Sequence, residues 1–348
     1  MEVLVYHGPW DLRVESRPDP TPGEGEVLIR VVATGICGSD VHGFTGENGR
    51  RSPGQVMGHE TVGRVERLGP GVSSPDALRP GTPVTVNPVI SCGSCPACAA
   101  GSEQSCERRR VIGVSPDILS AFAELLVAPE RNVVRLPADM PIEHGALVEP
   151  LAVGFHAVRR AGGAASDSVL VIGGGPIGQA CVIAAQRAGA GATAVSEPNP
   201  ARRRAAAALG AVPVDPGEET LAEQVRAALG GPASLVVDAV GSTASLASAM
   251  ACSRFGARIV LVGMSSPRVE LAAYAVSTEE RTVIGSFSYS DRDFRETAEW
   301  VGIGPHGLGR LIDERVDLAG APDAFARLGR GDTGASKILV TPSGSAGG

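Results

Sequence analysis

Val169–Gly178 reads VLVIGGGPIG. A short apolar run enters a G-x-G-x-x-G pattern at Gly173, Gly175 and Gly178, and the chain continues through Pro176 and Ile177 into QACVIAAQRAG. The run has the length of a buried strand. Ile177, Ala180, Cys181, Ala184 and Ala188 then recur at helical spacing. A strand, a tight glycine turn and a helix are therefore expected in succession. The glycines let backbone N–H groups approach a pyrophosphate at the helix N-terminus, where the helix dipole favours anions. The expected companion is an acid at the end of the next strand, and Glu197 closes ATAVSE 19 residues after Gly178. A carboxylate there accepts from both ribose hydroxyls and repels a 2′-phosphate, which points to NAD. Arg202–Arg204, just downstream, keep NADP as the alternative.

Outward from this turn the pattern repeats. PARRRAAAALG, opened by Pro200, reads as a helix, and AVPVD as a strand. SLVVDAV precedes a helix near Thr243–Cys252, and ARIVLVG and TVIGSF follow. Six strand candidates separated by helices describe an α/β domain with a doubly wound parallel sheet. Before Leu151 the character differs. MEVLVYH, DLRVES, EVLIRVVATG, TVGRVERLG, TPVTVNPV and AFAELLVAP are short strand-like runs punctuated by Gly and Pro, as in a barrel or sandwich. The C-terminal stretch is mixed and closes on the strand-like SKILVTP.

With 348 residues, the chain has the length of two domains. Its formal charge of −7 excludes a polyanion binder overall. The short RRR runs at Arg108–Arg110 and Arg202–Arg204 read as solvated faces, so no nucleic-acid partner is expected. The N-terminus lacks a basic stretch followed by an apolar one, and Val169–Val195 is broken by six glycines, Pro176, Gln186 and Arg187. No signal peptide and no membrane span are expected, and the localisation implied is cytoplasmic.

Four of the seven cysteines lie in one short stretch, Cys92, Cys95, Cys98 and Cys106, with gaps of two, two and seven residues. In a reducing compartment such a cluster points to metal ligation rather than disulfides. Four thiolates fill a tetrahedral zinc shell, and spacing alone also allows iron–sulfur ligation. A closed all-thiolate zinc organises a lobe and leaves no position for chemistry. A second candidate site lies in GICGSDVHGF and GHE, which bring Cys37, His59 and Glu60. A thiolate, an imidazole and a carboxylate form a three-ligand site with one position open. Taken singly, each has a bland reading as a core or surface residue.

In combination these motifs resemble the zinc-dependent medium-chain dehydrogenases, in particular their sorbitol, polyol and threonine dehydrogenase branch. GICGSDVH, GHE, the four-cysteine loop, HGALVEPLAVGFHAVRRAG and VIGGGPIG stand in that family's order. The resemblance implies a GroES-like β-rich catalytic domain over 1–151, a Rossmann cofactor domain over 152–287 and a return to the catalytic domain over 288–348. It implies two Zn²⁺ ions, a catalytic one on Cys37, His59, Glu60 and Glu149, and a structural one on the four-cysteine loop. Glu149 stands where classical members place a cysteine. Asp40 matches the acid that orients the metal-binding histidine, and Ser39 and His42 match the proton relay. Lys337 matches a basic residue near the cofactor. Val240, Val262, Gly263, Met264, Ser286 and Phe287 join the glycine-turn residues, Glu197 and Arg202 in the expected nucleotide site.

The activity implied is NAD-linked, reversible oxidation of a secondary alcohol to a ketone, in a homo-oligomer, either a dimer or a tetramer. The alternatives within the class are L-threonine 3-dehydrogenase and 2,3-butanediol-type diol dehydrogenase. A non-catalytic cofactor-binding relative is opposed by the presence of every ligand and relay residue. One feature departs from the branch. Sorbitol dehydrogenases carry an arginine in a VFRY-like stretch, whereas this chain reads GSFSYSDRDF with Ser288 there. Arg292 and Arg295 are the candidate replacements, and sorbitol itself is placed in doubt.

Overall fold

A computed structural model describes residues 1–47, 49–217, 220–305 and 307–342. The chain divides into two compact units, Met1–Glu149 with the chain from Ser290 onward, and Pro150–Tyr289.

In the first unit β1 (Glu2–Gly8) and β2 (Asp11–Ser16) form an antiparallel hairpin. β3 (Glu26–Gly35) leads into α1 (Gly38–Thr45). β4 (Gln55–Val56) pairs with β1, and β5 (Glu60–Leu68) runs antiparallel to β3. β6 (Pro83–Val86) pairs with β5. The hairpin of β7 (Val89–Ile90) and β8 (Arg110–Val111) brackets the cysteine loop, which holds α2 (Pro96–Ala99). β9 (Leu125–Pro129) pairs with the first half of β3, and β10 (Val133–Arg135) with β6. Val27, Ile29, Val31, Val65, Val84 and Leu126 form the apolar core between these strands.

The second unit opens with most of α3 (Val148–Arg160). Strands β11 (Ser168–Ile172), β12 (Ala192–Ser196), β13 (Val212–Val214), β14 (Ala233–Asp238), β15 (Ser253–Leu261) and β16 (Thr282–Gly285) form one parallel sheet. Its order, β13-β12-β11-β14-β15-β16, is that of the doubly wound dinucleotide fold. Helices α4 (Pro176–Arg187), α5 (Pro200–Ala208), α6 (Leu221–Leu229) and α7 (Thr243–Cys252) connect the strands, with the short α8 (Ala273–Ser277) before β16. The strands are nearly continuous apolar runs because each sheet face is covered by its own core cluster. The register aligns Ile172 with Ser196 and Asp238, Asp238 with Leu261, and Leu261 with Gly285. The residues that follow the strands, among them Gly173, Glu197, Val262 and Ser286, therefore leave one edge of the sheet together.

The chain then returns to the first unit through α9 (Asp291–Gly302), β17 (Glu314–Val316), α10 (Ala321–Arg330) and β18 (Ile338–Val340). β18 lies between β3 and β17, antiparallel to the first and parallel to the second. Rings of Trp10, Phe44, Phe325 and Phe122 meet edge to face in sequence and tie α1 to α10. No helix among the described residues is long and apolar enough to cross a membrane.

Candidate active site

Cys37 is the residue that precedes α1, with extended backbone (φ −91°, ψ 151°). Asp40, third in the helix, turns back to accept the Cys37 N–H at 3.2 Å, satisfying one of the donors that a helix start leaves open. His59 immediately precedes β5, which Glu60 begins, and both follow Gly58, whose φ of 99° suits only glycine. Glu60 lies opposite Gly35 of β3, and a Cβ at Gly35 would overlap the Glu60 carboxylate. The missing side chain is what admits the acid to the pocket. The ligand atoms of Cys37, His59 and Glu60 all lie within 4.8 Å of one another.

These three residues sit among charges. Asp40, wholly buried, has Oδ1 3.6 Å from His59 Nδ1, which leaves Nε2 as the nitrogen for a metal. Burial opposes the Asp40 charge, but His59 and then Arg51 outweigh it and hold the carboxyl below its usual range. Burial likewise opposes charging His59, and Asp40 and Cys37 overcome it, raising the imidazole well above its ordinary value. Lys337 donates to Glu60 Oε2 and, at 3.2 Å, to the Ile36 carbonyl. The charges of Glu60 and Cys37 raise its pKa against the effect of burial. Glu60 Oε1 and His59 Nδ1 are buried with no hydrogen-bond partner among the described residues. A pocket of thiol, imidazole and carboxylate with an orphaned acid oxygen fits a divalent zinc ion.

Glu149 lies in the first turn of α3, close enough for its charge to act on Lys337 but outside the three-residue cluster. Lys337, expected beside the cofactor, is placed against the metal pocket by its bond to Glu60. Ser39 and His42 share α1, three residues apart and so on one face. His42 is more than half exposed, and its Nδ1 is 2.6 Å from Glu47 Oε2. Glu47, Arg51 and the pairing of Lys337 were not found in the sequence. Only their packing reveals them.

The thiols of Cys92, Cys95, Cys98 and Cys106 also lie within 4.8 Å of one another. Cys95 precedes α2, opened by Pro96, and Cys106 follows the 3-10 turn Glu103–Ser105. Separations of 3.5 Å for Cys95–Cys98 and 3.9 Å for Cys92–Cys98 are far beyond a disulfide. They bracket the ~3.8 Å between thiolates of a tetrahedron with ~2.3 Å zinc–sulfur bonds. The Arg108 guanidinium donates to Cys92 Sγ at 3.1 Å. With the Ser94 backbone amide first among the causes, hydrogen bonding lowers the Cys92 thiol, while Cys95, which donates within the cluster, is raised, so the metal-free cluster keeps part of its protons.

In the second unit Gly173 has φ 95°, and Gly175 precedes α4, which Pro176 opens. A Cβ at Gly178 would overlap the Gly173 carbonyl, so the helix can approach the strand only through glycine. Glu197, buried, accepts the Gly174 N–H at 2.7 Å on Oε2 and the Asn199 N–H at 2.8 Å on Oε1. Arg202 lies in the first turn of α5, its Nη1 4.0 Å from where a Gly175 Cβ would stand. Val240 packs over Gly173, and Asp238 fixes the following turn by accepting the N–H groups of Val240 and Gly241, each at 2.9 Å. Gly263 packs against Val240, with Val262 just before it. Met264 and Phe287 are exposed, and the buried Ser286 hydroxyl has no partner among the described residues. The proposed stand-ins for the missing substrate arginine are engaged elsewhere. Arg292 pairs with Glu296 and Arg295 with Asp291, each at 2.7 Å.

Residues 23–138 match the family described as alcohol dehydrogenase GroES-like domain, and residues 176–302 match zinc-binding dehydrogenase. The chain is 34% identical to L-galactonate-5-dehydrogenase of Escherichia coli strain K12, covering 94% of this chain and 95% of that protein. It is 34% identical to sorbitol dehydrogenase of Homo sapiens, covering 94% and 92%. A zinc-binding dehydrogenase from Sinorhizobium meliloti 1021, bound to NADP, superposes with a TM-score of 0.89 at 30% identity, over 98% of this chain and 99% of that one. With its two fold units, its two candidate metal clusters and these likenesses, the chain belongs to the zinc-type medium-chain dehydrogenases, in their polyol dehydrogenase branch.

Proposed function

We propose that the protein is a zinc-dependent, NAD-linked dehydrogenase that interconverts a secondary alcohol of the polyol, cyclitol or sugar-derived class with its ketone. The observation that carries this reading is the gathering of Cys37, His59 and Glu60 in one buried pocket, beside the helix that bears Ser39 and His42. Zinc held there supplies Lewis acidity, which makes an alcohol hydroxyl acidic enough to ionise near neutral pH. Ser39 takes the hydroxyl proton and His42 carries it to solvent, toward which its half-exposed ring opens. Glu47 holds Nδ1 of that ring and leaves Nε2 to carry the proton. A nicotinamide cofactor bound at the glycine turn would accept the hydride from the carbinol carbon, so each turnover with NAD would yield one ketone, one NADH and one proton.

NAD is favoured over NADP by Glu197, whose charge at the end of β12 repels a 2′-phosphate. A homo-oligomer is supported by β16, an edge strand with one neighbour in the sheet and exposed Tyr274 and Phe287 nearby in sequence. Cytoplasmic residence is supported by seven cysteines with no disulfide among them, as a reducing compartment keeps thiols available for metal ligation.

The test is NADH formation by the zinc-loaded protein with sorbitol, xylitol, inositols, sugar acids, 2,3-butanediol and L-threonine, each repeated with NADP. Turnover of one hydroxylated class with NAD is expected. Turnover of L-threonine alone, or no turnover with both zinc ions and NADH demonstrably bound, would overturn the reading.

A further inference from the structure

Arg51 follows the stretch GENGR. In the structure its side chain is almost wholly out of water. Its stem lies across α1 at Gly43, where a Cβ would stand only 2.6 Å from Arg51 Cγ. Its Nη2 is 3.4 Å from Asp40 Oδ1 and 3.4 Å from the Ser39 carbonyl. Those contacts are long for hydrogen bonds. Both charges are buried, however, so neither salt nor water screens their attraction.

The same Asp40 oxygen faces the ring of His59 at 3.6 Å, and the other oxygen accepts the Cys37 N–H. One carboxylate thus steadies two of the three gathered ligands, and Arg51 is the cation behind it. We propose that Arg51 is a positioning residue for the catalytic metal, fixing the Asp40 carboxylate between Cys37 and His59 and so setting how tightly the ion is held. The inference rests on the reading of Cys37, His59 and Glu60 as a zinc site. Groups that orient metal-binding histidines govern metal retention nearly as strongly as the ligands do.

The experiment counts zinc by native mass spectrometry during a chelator challenge of the full-length protein. Cys37→Ser marks which of two ions belongs to this pocket. Arg51→Met is expected to lose that ion about 10–100-fold faster than the parent, leaving the four-cysteine ion in place. Arg51→Lys, which keeps the charge, recovers most of the retention. Gly43→Ala displaces the arginine stem without altering a charge and shifts retention in the same direction, so it carries the test should Arg51→Met fail to fold. In an Asp40→Asn background Arg51→Met adds nothing further.

Equal retention in Arg51→Met and parent, with metal-loaded and metal-free protein destabilised alike, makes Arg51 merely structural and overturns the proposal. Additive losses in the double variant do the same. A parent that holds a single ion, unaffected by Cys37→Ser, overturns the zinc reading of the pocket as well. Two ions in the parent with no effect at Arg51 leave that reading standing and remove only the role of Arg51.

Discussion

Glu197 uses both carboxylate oxygens on backbone N–H groups, Gly174 on one side and Asn199 on the other. It therefore shapes the glycine turn as well as carrying the charge proposed to meet a ribose. Hydrogen bonds to a charged group contribute about 1.5–3 kcal/mol each, or about ten- to hundred-fold in affinity. Glu197→Ser is expected to weaken NADH binding by a factor in that range while weakening NADPH less, read by fluorescence titration of both. Equal losses for the two nucleotides would remove Glu197 as the discriminating group. The position of Glu197 was legible because a strand end and a glycine turn are both local signals. The carboxylate's second duty, to Gly174, was not, because a side chain's reach across a turn leaves no pattern in residue spacing. The same limit hid the burial of Arg51 and the pairing of Lys337 with Glu60, 277 residues away in sequence.

Among the elements, those with one strong period were readable in advance. β11 to β16 are short apolar runs closed by Gly, Asp or Glu, and α4 and α7 carry apolar residues at helical spacing. α6 was not named. Its buried stripe is confined to Val225 and Leu229, and alanines on its other faces blur the pattern. α9 and α10 lay in a stretch of mixed character, and their buried faces are legible only against the partners they cover. The glycine turn itself gives a sharp element-scale prediction. A Cβ at Gly178 would collide with the Gly173 carbonyl and come 3.6 Å from Val171 Cγ1. Gly178→Ala is expected to abolish measurable NADH binding by calorimetry while two zinc ions per chain remain. Intact NADH affinity would show that the α4 start can shift to accommodate the methyl group.

At the scale of the molecule, both candidate metal clusters found among the described residues belong to the first unit, while the second unit has its own cores on either face of its sheet. Calorimetry of the full chain is expected to show a transition that falls in temperature when zinc is stripped. A second transition is expected to rise with NADH as mass action requires. A single transition moved equally by both would mean that the units unfold as one. Zinc retention at Cys37, His59 and Glu60, counted by native mass spectrometry, is also expected to decline as pH falls, because protons compete for the ligands. The route of the chain adds a matter of timing. Cys37, His59 and Glu60 are made before the whole second unit, and Lys337, which leads into β18 beside β3, only after it. Until that moment the growing polypeptide carries an acid whose counter-ion has yet to be translated. The pocket is completed by a residue 277 positions beyond Glu60, so a chain cut short of Lys337 can hold its ligands yet never finish the cradle.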